Sequence, residues 1–253
     1  MAILEWRSRA LWLLGYPEAA LKDVNESFRD AREIRQAATL MHALAHSTAT
    51  LILCGNYVES GARARELVGL AKDKGSLYWK ANGMMWEGCR SALTGSSSEA
   101  IEALTSALAG YRSTGATLYT PFVRSHLARA YAALVQHREA SNVIDEAITV
   151  TAKTKEKWSE AEIHRTAGDL ALMLPEANAA QAEAQFERAL AVARKQQAKS
   201  WELRAATSLA RLWRDQGKSS EARDLLAPVY GWFTEGFATP DIKEAKALLD
   251  ELA

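Results

Sequence analysis

One apolar spacing, restarted about every forty residues, constrains this chain more than any other feature. Ala140, Ile144 and Ala147 stand at offsets 0, 4 and 7, and the same pattern recurs at Ala100, Leu104, Ala107 and at Ala182, Phe186, Ala189. Weaker copies lie at Ala20, Val24, Ser27 and at Ser60, Ala64, Leu67, with a partial one at Ala222 and Leu226. The first members fall at 20, 60, 100, 140, 182 and 222. Five residues before them stand Gly15, Gly55, Gly95, Val135, Ala177 and Gly217. Glycine reaches positive φ without steric cost, so it suits a point where one helix stops and the chain reverses. Upstream of each landmark the apolar residues follow a helical period, as in Leu127, Ala130, Tyr131, Leu134 and again in Leu209, Leu212, Trp213. An aromatic often opens the unit: Trp79, Tyr119, Trp158, Trp201.

Each unit therefore reads as helix, tight turn, helix. The predicted first helices lie near 2–14, 37–54, 77–94, 117–134, 158–174 and 201–215, and the second near 17–35, 57–74, 97–113, 138–154, 179–198 and 219–230. Pro175 fits the longer turn of the fifth unit, because proline ends helices. A further helix near 241–252 has Thr239 as N-cap and Pro240 at its first position. No period-two pattern persists, so strands are not expected. The fold class is all-α: a right-handed α-solenoid of about six helix-turn-helix repeats plus a C-terminal capping helix, each pair covering its neighbour's apolar face. The units lie near 1–36, 37–76, 77–116, 117–156, 157–199 and 200–230. Residues 231–253 form an aromatic turn with Trp232, Phe233 and Phe237, followed by the cap.

Composition narrows the function. Lys+Arg and Asp+Glu both total 31 in 253 residues, so no nucleic-acid partner is expected, because such binders carry excess positive charge to neutralise phosphate. Two cysteines, Cys54 and Cys89, exclude a disulfide framework. No run approaches the ~18 apolar residues of a membrane helix, and Glu5, Arg7 and Arg9 interrupt the N-terminal apolar stretch. A cytoplasmic protein with no membrane partner is the expectation.

The pattern resembles the tetratricopeptide repeat, although those units run about 34 residues and a forty-residue step is nearer armadillo and HEAT repeats. A closer resemblance is carried by Gln197 to Ala206, by Ser208-Leu209-Ala210-Arg211-Leu212-Trp213 and by Leu225 to Phe237. Upstream it continues through Glu160 to Arg165 and Leu11 to Gly15. These segments resemble the C-terminal helical-repeat region of large bacterial signalling proteins, in which a class III adenylate/guanylate cyclase or winged-helix domain precedes a P-loop ATPase and tetratricopeptide repeats follow. The resemblance spans the chain, most specifically 155–253. It implies a sensor or scaffold, and neither catalytic activity carries over. Gly217-Lys218-Ser219 is not a phosphate loop, since the required upstream glycine would fall at Leu212. Nothing in the sequence resembles the cyclase module.

Candidate chemistry is sparse. His42 and His46 stand at i, i+4 but lack an evident third ligand, so no metal or other cofactor is expected. Cys89 and His126 show no spacing that would pair them, and His164 reads as a packing residue between units five and six. Arg188 to Lys218 holds eight basic residues against Glu202 and Asp215, a local charge of +6. Arg204, Thr207, Arg211 and Arg214 form one stripe of the sixth first helix. By repeat register the inner wall adds Asn82, Met85, Phe122, Ser125, Arg129, Glu162, Arg165 and Asp169. These twelve are the expected ligand-contacting residues of a concave groove, and arginine suits carboxylate. The expected function is a non-catalytic scaffold for a protein or peptide, the acidic kind favoured by the stripe. A small-molecule effector enclosed by the superhelix is the alternative. Trp6, Leu11 and Trp12 have no preceding unit, which predicts a sticky N-terminal face and self-association.

Overall fold

The computed structural model describes residues 2–173 and 178–253, so Pro175 and Ala177 lie outside the described residues. Thirteen helices occur among the described residues and no strand. They form consecutive pairs: α1 (Ala2–Leu13) with α2 (Pro17–Ile34), α3 (Ala37–Leu53) with α4 (Tyr57–Asp73), α5 (Leu77–Leu93) with α6 (Ser97–Ser113), α7 (Thr120–Ala133) with α8 (His137–Thr154), α9 (Glu160–Met173) with α10 (Ala179–Lys195), and α11 (Lys199–Asp215) with α12 (Ser219–Tyr230). The closing helix α13 (Pro240–Glu251) packs on α11 and α12. The fold is an all-α solenoid of paired helices. α7 starts three residues later than the periodicity suggests, because Pro121 occupies its first turn and Tyr119 takes positive φ just before it. Thr239 sits at the N-cap of α13, but its hydroxyl donates to the Gly236 carbonyl instead of capping the helix.

The periodic residues hold the pairs together. Ala20, Ser60, Ala100, Ala140, Ala182 and Ala222 are all 0–1 % exposed, and the residues four positions on, bulkier in every unit but the second, are buried beside them. A second row at the same forty-residue step completes the joint: Ser8, Thr48, Gly88, Ala128, Gly168 and Ser208, all buried on the first helices. A Cβ on Gly88 would lie 2.6 Å from the Leu104 side chain, and one on Gly168 would lie 2.5 Å from the Phe186 ring. Small residues on one helix thus admit large ones from its partner.

Positive φ marks both kinds of turn. Within the pairs it falls at Gly15, Gly55, Gly95, Val135 and Gly217, and between pairs at Arg35, Gly75, Gly115, Lys155 and Gln197.

The solenoid closes on itself. Each inner helix (α1, α3, α5, α7, α9, α11) packs against the next, and α11 also touches α1. Trp12 meets Trp201 edge-on at 4.6 Å, Ser200 Oγ donates to the Trp12 carbonyl, and Arg204 Nη2 donates to the Leu53 carbonyl at 3.0 Å. The aromatic turn completes the closure. Glu235 Oε1 accepts from the backbone N–H groups of Glu18 and Ala19 at 2.9 and 3.0 Å, satisfying two orphan donors at the start of α2. Gly236 N–H donates in return to Glu18 Oε1 at 2.8 Å. The expectation of an uncovered N-terminal face is thereby corrected. Trp12 is 2 % exposed, Leu11 packs against the core, and Trp6 alone of the three remains open, at 51 %.

Candidate functional site

A step of about forty residues places an aromatic at or just before the start of successive inner helices, and closure brings several of them together. Trp86, Tyr119, Phe122, Trp158, Trp201 and Trp12 form one continuous cluster, with successive ring centroids such as Phe122–Trp158 at 4.9 Å and Trp158–Trp201 at 6.3 Å. Aromatic surface of this extent gains strongly from leaving water. The centre of the ring is therefore filled, and the wall divides into two basins. One lies toward the N-terminal ends of the inner helices, the other toward their C-terminal ends.

Several expected groove residues belong to the filling. Met85 is fully buried, Phe122 sits within the aromatic cluster, and Ser125 is buried with its hydroxyl on the Phe122 carbonyl at 2.7 Å. They are not groove-exposed, because the ring closes over the middle of the wall. Asn82 is also buried and accepts from Trp86 Nε1 at 3.0 Å, on the side of the N-terminal basin.

The C-terminal basin has a volume of about 230 Å³ and takes in Arg129, Glu162, Arg165, Asp169, Arg204, Thr207 and Arg211. To these the structure adds Tyr57 and Ser208, and also Asp241 and Glu244, which the repeat register could not single out because α13 stands outside it. Charge here is internally balanced. Arg165 spans Glu162 and Asp169 at 2.7 Å each, and Arg204 Nε donates to Asp241 at 2.8 Å with Glu162 3.7 Å away. Burial alone would raise the Glu162 carboxyl, but Arg165, Arg204 and Arg129 hold it down at about 2. Burial pushes Asp241 up, against the pull of Arg204. Arg129 is half-buried and has no ion pair or hydrogen bond among the described residues.

The basic stripe of α11 is not a bare surface. Arg204, Arg211 and Arg214 pair with Asp241, Glu244 and Glu251 of α13, and Arg214 also pairs with Asp215. Arg194 and Lys199 share Glu202 at 3.0 and 2.8 Å. The local excess of positive charge is thus met by acids from the capping helix and from α9. α13 is itself rooted by buried Ile242, Ala245 and Leu248. Thr207 is buried, its hydroxyl donating to the Leu203 carbonyl, and Arg214 lies outside the basin.

The N-terminal basin has a volume of about 290 Å³. It is lined by Trp6, Arg9, His42, Ala45, His46, Tyr78, Trp79, Asn82, Trp86, Leu118 and Tyr119. Packing of the first unit on the second supplies what the sequence could not show, a third potential ligand beside the two histidines. The ligand atoms of Glu5, His42 and His46 lie within 4.8 Å of one another. Glu5 is occupied by His42 Nδ1 at 2.5 Å and by Ser27 Oγ at 3.1 Å, and Arg9 Nη2 stands 3.4 Å from His46 Nδ1. The guanidinium opposes a cation at this point. Burial first, then Arg9 and His42, lower His46 to about 2, so it is neutral near pH 7. Burial pushes the Cys54 and Cys89 thiols up, which leaves them poor nucleophiles. His164 makes its contacts within unit five: its Nδ1 lies 2.8 Å from Gln185 Oε1 and its Nε2 accepts from Arg188, both on α10.

No protein-family model matches the chain and no curated protein matches it. Solved structures do. NprR in complex with its cognate peptide NprX superposes with a TM-score of 0.67 at 16 % identity, over 98 % of this chain and 69 % of that one. The apo form of RapI gives 0.66 at 12 % identity, over 96 % and 82 %. A signal transduction ATPase with a tetratricopeptide repeat sensor, PH0952 from Pyrococcus horikoshii, gives 0.53 at 16 % identity, over 99 % of this chain and 38 % of that one. Identities this low show the fold, a tetratricopeptide-like helical solenoid. No described helix is long and apolar enough to cross a membrane.

Proposed function

We propose that this chain is a non-catalytic binding scaffold for a peptide or protein, engaged at the C-terminal basin through Arg129. The observation carrying this reading is the free guanidinium of Arg129 beside a compensated network, in a polar basin of about 230 Å³. The network fixes the wall, and Arg129 is left to take a carboxylate from an acidic side chain or a chain end. The closed, filled ring sets the mode of binding: a partner docks an end or a side chain into the mouth and does not thread through. NprR, of the same fold, is seen with a bound peptide, which supports the class of ligand. We further read the chain as the regulatory repeat part of a bacterial signalling protein related to cyclase and ATPase regulators, acting in the cytoplasm. Its resemblance over 155–253 supports this, as does the fold shared with the repeat sensor of a signal transduction ATPase.

Affinity capture with the wild-type chain and with Arg129→Glu tests the proposal. A partner retained by the first and lost by the second is expected. Equal retention removes Arg129 from the interface. A second reading, a small-molecule effector, is favoured by the size of the basins, which lie near the lower limit of about 300 Å³ for small-molecule pockets. A metabolite screen by thermal shift separates the two, because a ligand that binds only the folded state raises Tm.

A further inference from the structure

Three arginines are buried among the described residues: Arg9, Arg63 and Arg124. Arg63 pairs with Glu59, and Arg124 pairs with Glu146 at 3.0 Å. Arg9, 5 % exposed, has no carboxylate within 4.0 Å. Its Nη1 donates to the Tyr119 hydroxyl at 2.6 Å, its Nη2 is 3.4 Å from His46 Nδ1, and its Nε is buried without any partner. The neighbouring acids are committed elsewhere. Glu5 accepts from Ser27 and faces His42 Nδ1 at 2.5 Å, and Glu156 accepts from Tyr119 N–H at 2.8 Å and Trp158 Nε1 at 2.9 Å, acting on Arg9 only from beyond ion-pair distance. A buried charge without a counter-ion is costly. The guanidinium lies 5.5 Å from the Trp6 ring centroid and 5.0 Å from that of Tyr119, which offsets part of that cost. The remainder is unmet, and Arg9 lines a basin walled by Trp6, Tyr78, Trp79 and Trp86.

We infer that the N-terminal basin is a binding site for a small aromatic carboxylate, whose acid group pairs with Arg9 and whose ring lies among Trp6, Trp79 and Trp86. A carboxylate supplies the missing counter-charge, and the indole walls reward a flat apolar body. A volume of about 290 Å³ suits one ring system and not a large cofactor. This site is separate from Arg129 and does not depend on it.

The test uses 3-phenylpropionate, its neutral amide, and a pentapeptide ending in a free phenylalanine carboxylate. Binding is read by quenching of intrinsic tryptophan fluorescence and by Tm. Saturable binding of the acid is expected, at least ten-fold tighter than the amide. Arg9→Met removes it, and Arg129→Met leaves it unchanged. Equal binding of acid and amide overturns the assignment, as does binding undiminished in Arg9→Met, loss in Arg129→Met, or no saturable response to the acid at millimolar concentration. A response to the peptide alone overturns the free acid in favour of a chain end. Should Arg9→Met fail to fold, Trp6→Ala at the exposed rim decides. Several-fold weaker binding at unchanged Tm of the free protein supports the site, and undiminished binding refutes it.

Discussion

The two mouths of the ring are built from the same parallel inner helices, yet they treat buried charge in opposite ways. At the C-terminal mouth Arg165 and Arg204 are tied to Glu162, Asp169 and Asp241. At the N-terminal mouth Arg9 has rings and a phenol around it and no acid within ion-pair reach. Apart from Arg129, which stands free beside it, the first arrangement is complete without a ligand and costs most when one member is removed. The second is incomplete without one and costs least when its charge is removed. Stability and ligand need are thus distributed unequally between two faces of one fold, as expected where binding residues are not optimised for stability.

The largest expected effect is at the layer separating the two mouths. Trp201 is fully buried, stacks near Trp12 and Trp158, and donates from Nε1 to the Trp158 carbonyl at 2.8 Å. Trp201→Ala removes that layer's centre and should lower stability by about 3–5 kcal/mol in urea unfolding. A loss under 1 kcal/mol would mean that the two basins are not held apart by the aromatic filling.

The next prediction sets one mouth directly against the other. Glu162→Ala takes the bidentate partner from Arg165, leaving it Asp169 alone, and leaves Arg204 with Asp241, a change expected to cost about 2–3 kcal/mol. Arg9→Met replaces an uncompensated charge by an apolar chain of similar length, losing the bonds to Tyr119 and His46 and the cation–π contacts with Trp6 and Tyr119. Without ligand it should leave stability within about 1 kcal/mol of wild type or raise it. Equal losses from the two substitutions, measured by denaturant midpoint, would erase the contrast.

How much of this was legible beforehand depends on range. Helix pairing was, because Ala140, Ile144 and Ala147 repeat their neighbours' offsets and a helix face is a local property. Ring closure was not. Ser200 and Trp12 meet across 188 residues through the accumulated small rotation of successive repeats, which no single residue encodes. The same gap explains the site. Register placed Arg129, Arg165 and Arg204 on the inner wall, where they line a basin. It could not show that Met85, Phe122 and Ser125 would be sealed by aromatics from four helices and two turns, or that α13, outside the repeat, would bring acids to the α11 stripe. Glu5 and Arg9 went unnoticed as partners of His42 and His46, because the first and second units had yet to be docked. The unpaired charge of Arg9 was the available signal, readable once its neighbours were in place.

Acid should reveal the mouths separately. Burial lowers His46 at one and His126 beneath the other, to about 2 and about 3. Below the ordinary histidine pKa of 6.5 the unfolded chain takes up these protons while the folded chain refuses them, so stability falls as pH falls. Each histidine contributes a slope of about 1.4 kcal/mol per pH unit once fully engaged. Glu162, held at about 2, adds a second loss from about pH 4.5 downward, at the C-terminal mouth alone. His126→Phe should reduce the slope between pH 6 and 4.5 to about the share of His46, while the steepening from Glu162 below about pH 4.5 persists. An unchanged slope in that window would show that His126 titrates freely.

The smallest expected effect lies on the rims. Turns at the C-terminal ends of the inner helices use Gly15, Gly55, Gly95 and Gly217, with Val135 the exception among the described residues. Those between pairs include Arg35, Lys155 and Gln197. Gly15 and Gly55 answer to closure as well as to φ, since a Cβ would come within 2.5 Å of Trp232 and of Pro240 respectively. Val135 holds φ 62° with a β-branched side chain, a conformation costing about 1–2 kcal/mol. Its side chain is exposed, so little packing is forfeited by removing it. Val135→Gly should therefore stabilise the protein by about 1 kcal/mol, less the extra entropy of an unfolded glycine, seen as a rise of a few degrees in Tm. Gly55→Val at the equivalent turn should destabilise by more, because it meets both the φ penalty and Pro240. If the two substitutions shift Tm by equal and opposite amounts, backbone conformation alone governs this rim and the contact between the second repeat and the capping helix adds nothing.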